Sequence, residues 1–257
     1  MSVEVHCVVE PSRRSDAAGT VVLSNSLGAT HEMWEPQVRA LAERFRVVRY
    51  DTRGHGRSPV PDGPYSIDDL ADDLVVLLDR LDIERAHLVG LSLGGMTCLR
   101  VAARNSSRVD RLGLLCTSAL LSPSSSWQQR ARTVRTSGTS AIAEAVVERW
   151  YTAEFRIAWP GRVAAAAEMI SATPAEGYAG CCDAIARMDL TLDLSRISAP
   201  TLCLAGADDP ATPPAHLERI AAGVQNGRCL VVPNAAHLAN DEQPGIVNAA
   251  LLEHLGN

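Results

Sequence analysis

The hydrophobic and polar positions of the chain follow two periods in turn. Short apolar runs rich in β-branched residues predict buried strands at 21–23, 46–50, 86–90, 111–115, 201–205 and 229–232. Longer segments of helical period separate these runs. The clearest, Ile67–Leu81, carries its leucines on one stripe and four aspartates in its N-terminal half, and a last helix is expected at about 244–255. Strands that alternate with helices predict a parallel sheet wrapped by helices.

The alternation stops between about Ser122 and Arg187. This stretch opens on a run of serine and proline at 122–126 and continues with helical periodicity but no clear strand, and short helices are expected at 142–150 and 163–169. Such an insertion after a strand of the main sheet predicts a helical cap. The predicted division is an α/β core of residues 1–121 and 188–257 and a cap of residues 122–187.

The composition fits one α/β domain with an insertion. The 257 residues are 46% hydrophobic and 21% charged, and they suffice to bury a core without a staple. A net charge of −6 without any Lys/Arg run argues against nucleic-acid binding. The chain lacks a window of ~18 apolar residues and the pattern of a secretory signal, so a cytoplasmic protein that does not bind membranes is expected. The seven cysteines lack zinc-ligand spacing and are expected to be reduced thiols.

A serine between two glycines follows one of the predicted strands. The segment 90–94, Gly-Leu-Ser-Leu-Gly, separates the strand 86–90 from a helical pattern. A nucleophile on a sharp strand-to-helix turn needs glycine two residues before and after it, where a side chain would clash. The motif also occurs by chance, and an incidental serine in a glycine-rich turn is the alternative. The strand–turn–helix context favours Ser92 as a nucleophile.

A serine hydroxyl needs a base and an acid that orients the base. Both are expected downstream of the serine, with the acid first in the chain and the histidine after it. Asp208 and Asp209 follow the strand 201–205, and the spacing from Gly206 and the proline behind favour Asp209, with Asp208 expected to face solvent. His237 follows the last predicted strand, whereas the other six histidines lie in strands, in helices or ahead of the nucleophile. The predicted triad is Ser92, Asp209 and His237.

Attack by a serine also needs two backbone donors for the oxyanion. The N–H of Leu93, directly after the nucleophile, is the first candidate. The second is expected in the loop after the strand 21–23, where the N–H of Leu27 is the candidate. Both groups act through the backbone, so their side chains matter little to the chemistry.

Several segments in order along the chain resemble one superfamily. Residues 51–58, Asp-Thr-Arg-Gly-His-Gly-Arg-Ser, are similar to the D-x-R-G-x-G-x-S turn of α/β-hydrolases, and the resemblance extends from about Val21 to Leu255. It implies a mostly parallel, eight-stranded sheet flanked by helices, with a helical cap inserted. The turn at 51–58 is read as structural, with Arg53 tying loops together.

A narrower resemblance is to the 3-oxoadipate enol-lactonases. It rests on the segments 24–37, 149–155, 176–185, 189–190 and 209–214. The chain departs from most members at Asn25-Ser26, where they carry a His-Gly pair. The resemblance implies hydrolysis of 3-oxoadipate enol-lactone to 3-oxoadipate in the β-ketoadipate pathway, on the protocatechuate or catechol branch, with neither a metal nor an organic cofactor.

The implied substrate is a small anionic lactone, so the cap should offer a cation to its carboxylate. Arg132 and Arg135, which share a helix face, are the preferred candidates, and Arg130 and Arg187 are others. A solvated helix face is the alternative for these arginines. Aromatic residues of the cap are expected either to line the pocket or only to pack within the cap. They are Trp127, Trp150 and Tyr178.

Two other functions stay open at this stage. The same triad would serve a carboxylesterase, a perhydrolase-type enzyme or a C–C bond hydrolase, because only the cap and pocket separate these activities. Some proteins of this fold are small-molecule receptors, and the intact triad argues against that function. No sequence feature decides the oligomeric state, and a homo-oligomer is compatible with the sequence.

Overall fold

The apolar runs form one sheet in the computed structural model of the chain, which describes residues 1–14 and 17–256. The strands are β1 Cys7–Glu10, β2 Thr20–Ser24, β3 Arg46–Tyr50, β4 Ala86–Leu91, β5 Val109–Leu115, β6 Thr201–Gly206 and β7 Gly227–Val232. Their order across the sheet is β1-β3-β2-β4-β5-β6-β7, and each neighbouring pair is parallel except β1 with β3. All six predicted strands are present.

The strand count differs from the eight that the resemblance implied, because the described residues form seven. The chain ahead of β1 gives its N–H groups to side chains and not to a neighbouring strand. Val3 N–H donates to the Asp73 carboxylate at 2.7 Å, and His6 N–H donates to the Ser58 hydroxyl at 2.9 Å. This segment therefore lies against the protein without extending the sheet.

The inner strands are buried on both faces. Every residue of β4 and of β6 is buried, as a parallel sheet covered by helices requires, whereas most of β7 is exposed at the edge. Because β4, β6 and β7 run parallel, the loops that follow them meet at one edge of the sheet. This edge collects the segments that carry Ser92, Asp209 and His237.

Helices cover the sheet and fill the segment between β5 and β6. The α-helices are α1 Glu35–Ala42, α2 Ile67–Arg80, α3 Leu93–Arg104, α4 Ser124–Ser137, α5 Ala143–Trp150, α6 Ala153–Ala158, α7 Pro160–Ser171, α8 Ala175–Arg187, α9 Pro214–Gly223, α10 Ala239–Glu242 and α11 Pro244–Leu255. The stretch 122–187 holds α4 to α8 and no strand, and α5 and α7 confirm the two short helices predicted there. In the described part of the chain, every helix is too short or too polar to serve as a membrane span.

The bounds of α2 follow from its sequence. The Ser66 hydroxyl accepts the N–H of Asp69, and the Asp69 carboxylate accepts the N–H of Ser66 at 2.8 Å, a reciprocal capping box that starts the helix. The stripe of leucines that predicted the helix faces the core. Its buried members are Leu70, Leu74, Leu77 and Leu78. The helix ends at Arg80, within one residue of the predicted end.

The turn at 51–58 is tied to α2 by a buried ion pair. Arg53 is 3% exposed and donates from Nε and Nη2 to the carboxylate of Asp73, itself 2% exposed, at 2.6 and 2.7 Å. A further hydrogen bond from Arg53 reaches the carbonyl of Asp69. Burial raises the pKa of Asp73, and the Arg53 guanidinium only partly offsets this effect. Arg53 thus ties the turn at 51–58 to α2, a structural role like the one that the resemblance implied.

Arg53→Met is expected to destabilise the fold by about 3–5 kcal/mol, because it leaves the Asp73 carboxylate buried without its partner. Urea unfolding followed by circular dichroism measures the difference. The matched control is Arg13→Met, since Arg13 and Glu43 form an exposed pair, with side chains 53% and 55% exposed. That pair is worth about 0–1 kcal/mol. Equal losses in the two variants would contradict the prediction.

Candidate active site

Ser92 lies on a strained turn between β4 and α3. Its backbone has φ 55° and ψ −116°, and such a positive φ costs a residue with a Cβ about 1–3 kcal/mol. The backbone approaches the turn closely from both sides. A Cβ at Gly90 would overlap the carbonyl of Gly94, and a Cβ at Gly94 would overlap the carbonyl of Ser24 in β2. Both glycines of the motif are therefore required by the turn that presents Ser92.

His237 and Asp209 form a buried hydrogen-bonded pair. Nδ1 of His237, in the loop after β7, lies 2.8 Å from Oδ2 of Asp209, in the loop after β6. The N–H groups of Ala211 and Thr212 donate to Oδ1, and the Thr212 hydroxyl donates to Oδ2. Burial raises the pKa of Asp209, but the His237 charge and these hydrogen bonds outweigh burial and hold that pKa at about 2. An ionised acceptor at Nδ1 leaves Nε2 as the basic nitrogen of the neutral imidazole.

The two neighbouring aspartates have different surroundings. Asp208 is exposed and lines an outer groove, whereas Asp209 is 3% exposed and contacts His237. Of the histidines that precede Ser92, His55 is fully buried and its Nε2 accepts the N–H of Gly28 at 2.9 Å. The structure therefore brings Asp209, and not Asp208, to the histidine that the chain order had singled out.

Ser92 and His237 line one narrow cavity of about 50 Å³ beneath α4, α5 and α8. The three aromatic residues expected to line a pocket, Trp127, Trp150 and Tyr178, all border it. A wider groove of about 670 Å³ lies along α6 and the loops after β6 and β7, but no member of the triad lines it. Ser92 and His237 therefore face the smaller cavity and not the groove.

The two backbone amides expected to hold the oxyanion are available. Leu93 is the first residue of α3, so its N–H has no acceptor within the helix. Leu27 lines the cavity, and the N–H groups on either side of it, those of Ser26 and Gly28, donate to side chains. Among the described residues, no backbone acceptor pairs with the Leu27 N–H. These two groups can receive an oxyanion that forms at Ser92.

Asn25, where the chain departs from the family pattern, holds the loop that carries Leu27. Its Nδ2 donates to the carbonyl of Tyr50 at 2.7 Å, and its Oδ1 accepts the indole N–H of Trp34 at 3.0 Å. The side chain is fully buried. Asn25 thus anchors the oxyanion loop to β3 and to the segment before α1.

Two arginines line the cavity without a carboxylate partner. Arg130 of α4 and Arg149 of α5 both border it, and the Arg130 guanidinium stacks on the Trp127 ring at 4.7 Å. Within residues 1–14 and 17–256, neither arginine forms an ion pair. Burial lowers the pKa of Arg149, and the positive charge of Arg130 lowers it further. Two guanidinium groups that repel each other in a partly buried cavity form a site that an anion would stabilise.

The arginines preferred from the sequence lie elsewhere. Arg132 is exposed on α4, and Arg135 pairs with the carboxylates of Glu176 and Asp183 on α8. Arg187 donates to a backbone carbonyl outside the cavity. The structure therefore does not bring Arg132 and Arg135 to the cavity that contains Ser92, where the sequence had placed them.

Part of the signal for the two arginines that line the cavity was present in the sequence. The inward face of α4 is marked by Trp127, Ala131 and Val134 at helical spacing, and Arg130 lies beside that stripe. Arg149 likewise precedes Trp150, a buried residue of α5. Arg135 lies about as close to the stripe of α4 on its other side, so helical spacing alone leaves Arg130 and Arg135 both open.

A cluster of possible metal ligands lies apart from the cavity. Donor atoms of His6, His31 and Asp51 are within 4.8 Å of one another. Asp51 Oδ1 already accepts the backbone N–H of His31 at 2.8 Å and lies 2.9 Å from its Nδ1, and Oδ2 accepts the N–H of Arg57. These carboxylate contacts stabilise the turn at 51–58, and none of the three residues lines the cavity with Ser92.

The arrangement identifies a class of enzyme before any relative is considered. A serine on a strand-to-helix turn, followed along the chain by an orienting aspartate and then a histidine, is characteristic of α/β serine hydrolases. The chain belongs to the α/β-hydrolase family, whose model, described as "alpha/beta hydrolase fold", matches residues 19–244.

Individual relatives are also similar over nearly the whole chain. The 3-oxoadipate enol-lactonase 2 of Acinetobacter baylyi is 38% identical over 90% of this chain and 86% of its own length. The crystal structure of the enol-lactonase from Burkholderia xenovorans LB400 superposes with a TM-score of 0.95 at 38% identity and covers 98% of this chain and 96% of that one. A thermophilic esterase from Thermogutta terrifontis has a TM-score of 0.91 at 30% identity, over 98% and 93% of the two chains.

Proposed function

We propose that this protein is a serine hydrolase that opens 3-oxoadipate enol-lactone to 3-oxoadipate. The observation that carries the proposal is that two guanidinium groups without an ion-pair partner, those of Arg130 and Arg149, line the cavity that Ser92 and His237 also line. An ester without a charge would leave these two cations uncompensated, whereas a lactone with a carboxylate side chain supplies the missing anion. The enol-lactonase names of the Acinetobacter and Burkholderia relatives support the same substrate.

The first half of the reaction forms an acyl-enzyme. The Ser92 hydroxyl attacks the lactone carbonyl while Nε2 of His237 takes its proton, and the N–H groups of Leu93 and Leu27 stabilise the oxyanion. When the tetrahedral intermediate collapses, the ring C–O bond breaks and the enol oxygen takes the proton from His237. The enol then tautomerises to the ketone, which makes ring closure unfavourable.

The second half releases the product. Water gives a proton to Nε2 of His237 and attacks the acyl carbonyl, the same two N–H groups hold the second oxyanion, and Ser92 regains its proton as 3-oxoadipate leaves. Asp209 remains ionised throughout, since its pKa is about 2, and stabilises each imidazolium. Protons and electrons balance with water as the sole co-reactant.

The location of the enzyme is part of the proposal. We propose that it works in the cytoplasm, which its seven free cysteine thiols support. Five of these thiols are buried, and burial raises their pKa values, so they are inert apolar groups in the fold.

Arg149→Met is expected to lower kcat/KM for the enol-lactone roughly 100-fold, within the range for truncating one partner of a buried charge pair. The change removes a cation that holds the substrate carboxylate and keeps the length of the side chain. Activity on p-nitrophenyl acetate, which carries no carboxylate, should stay near the wild-type value. Both reactions are followed as initial rates by absorbance, with the lactone generated in place from muconolactone.

The matched control is Arg132→Met, which removes an exposed arginine on α4 outside the cavity. It should leave both activities unchanged. Equal losses of kcat/KM on the lactone and on the ester after Arg149→Met would show that Arg149 does not bind the substrate carboxylate. Activity on simple esters without lactone turnover would instead favour a carboxylesterase, and ligand binding without any turnover would favour a receptor.

A further inference from the structure

The residues on either side of His237 are both attached to the cap. Leu238 N–H donates to the carbonyl of Trp150 at 2.9 Å. Ala236 N–H donates to Oε2 of Glu242 at 2.5 Å, and Oε1 of the same carboxylate accepts both the N–H and the hydroxyl of Thr152, at 2.9 and 2.7 Å. The backbone of His237 is therefore held on both sides by hydrogen bonds that lead to residues 150–152.

Glu242 makes this connection as a buried bridge. It is 9% exposed, at the end of the short helix α10, and its three hydrogen bonds come from two residues, Thr152 and Ala236. The Thr152 hydroxyl that donates to Glu242 also accepts the N–H of Phe155, so it caps α6 as well. A carboxylate that accepts three hydrogen bonds has a geometry that a neutral amide cannot reproduce, because an amide has one acceptor oxygen.

The segment that Glu242 holds continues directly from the anion site. Trp150 lines the cavity, and Arg149 precedes it at the end of α5. A shift of residues 150–152 would move the guanidinium of Arg149 and the imidazole of His237 relative to each other. Because Glu242 holds both segments, the distance between the Arg149 guanidinium and the His237 imidazole stays fixed. A substrate whose carboxylate binds Arg149 then has its reacting carbonyl correctly placed relative to the base.

We propose that Glu242 is a positioning residue that fixes His237 relative to the cap segment 150–152, so that the base and the carboxylate site act as one rigid unit. The part of the inference that concerns the carboxylate site rests on the proposed function. The other part, control of the His237 position, applies to any acyl substrate of Ser92. Glu242 itself lines the outer groove and not the cavity, so it acts through the backbone of Ala236.

The test compares Glu242→Gln with Asp241→Asn. Asp241 also bonds to the cap, through the Tyr151 hydroxyl at 2.9 Å and through Arg162, but in the described part of the chain its carboxylate accepts no hydrogen bond from residues 236–238. Glu242→Gln is expected to lower kcat by roughly 10- to 100-fold on both lactone and p-nitrophenyl acetate with little change in KM, the effect of a small displacement of the base. Asp241→Asn should leave kcat near the wild-type value, although both variants lower the melting temperature.

A readout without turnover separates this inference from the choice of substrate. The rate at which a fluorophosphonate labels Ser92 should fall by the same factor in Glu242→Gln. Normal labelling of the wild type without lactone turnover would reject the proposed substrate and still allow the labelling rates to decide the role of Glu242. No labelling of wild-type Ser92 would reject both proposals.

Two outcomes would overturn the positioning role. Equal kcat losses in Glu242→Gln and Asp241→Asn would show a general loss of cap packing, and a change in KM alone would place Glu242 in substrate access. If Glu242→Gln does not fold, Thr152→Val replaces it, since this change removes one of the three hydrogen bonds to the carboxylate. Thr152→Val should lower kcat and the labelling rate by the same factor, which should be smaller than the factor expected for Glu242→Gln. An unchanged kcat would overturn the proposal.

Discussion

Replacing Ser92 by alanine is expected to lower kcat for 3-oxoadipate enol-lactone by roughly 1,000,000-fold, the order of loss seen when a serine nucleophile is removed from such a triad. The strained turn presents the hydroxyl to a cavity that His237 also lines. The residual rate would come from the oxyanion donors and from substrate binding, which the variant keeps. Loss of enol-lactone absorbance measures the rate, with uncatalysed opening subtracted.

A second serine in the same cavity provides the control. Ser26 also lines it, so Ser26→Ala removes a second hydroxyl from the cavity without touching the nucleophile. This variant should keep most of the activity, because Ser26 serves the oxyanion loop through its backbone. A large loss in Ser26→Ala would indicate that the oxyanion loop tolerates no change, and the Ser92 result would then need the direct observation of the acyl-enzyme.

The acyl-enzyme has a distinctive mass. Opening a lactone expels no fragment, so acid quenching during turnover should yield protein heavier by one whole lactone, on the peptide that contains Ser92. An alternative mechanism, in which His237 activates water directly and Ser92 only positions the substrate, predicts no such adduct. It also predicts that Ser92→Ala retains activity within about 100-fold of the wild type, so that a residual rate this high would reject nucleophilic catalysis.

The sheet could be predicted because its inner strands are simple in sequence. β4 and β6 are buried on both faces, so each is an unbroken apolar run that stands out from the amphipathic helices around it. The N-terminal segment gave no such signal. Whether Val3 and His6 pair with a strand or with side chains depends on Asp73 and Ser58, which lie far away in sequence.

The triad could be placed for a related reason. Catalytic groups on a parallel sheet follow the carboxyl ends of strands, so locating the strands also located the loops that carry Ser92, Asp209 and His237. The carboxylate site could not be placed in this way, because it lies on helices. Whether an arginine of α4 faces the cavity or solvent is decided by a rotation of the helix, which depends on its packing against α8 and not on strand order.

Asp209→Asn is expected to lower kcat by about 10,000-fold while the fold stays intact. The reason lies in the hydrogen bonds around the carboxylate. Oδ1 accepts two backbone N–H groups, from Ala211 and Thr212, so the amide oxygen of the asparagine must occupy that position. The amide nitrogen then faces His237 and donates to Nδ1, which places the imidazole proton on Nε2, the nitrogen that has to act as base.

The adjacent aspartate supplies the control. Asp208→Asn removes an exposed carboxylate one residue away and should leave kcat unchanged. Melting temperatures of both variants establish that the comparison is between folded proteins. Because the pKa of Asp209 is about 2, its carboxylate is ionised at every pH at which the assay is practical, so protonation of Asp209 should not contribute to the pH dependence of the wild-type rate.

Folded-state ionisation of Asp209 also stabilises the protein. Its pKa lies below the ordinary value of 3.8, so its contribution is present in full above about pH 4 and is lost as the pH falls toward 2.

A loss of kcat smaller than about 100-fold in Asp209→Asn would mean that another group orients His237. The Thr212 hydroxyl, 3.4 Å from Nδ1, is the one placed to do so. In that case, combining Asp209→Asn with Thr212→Val would remove the remaining activity. If Asp209→Asn alone lowers kcat by the predicted 10,000-fold, the Thr212 hydroxyl does not orient His237.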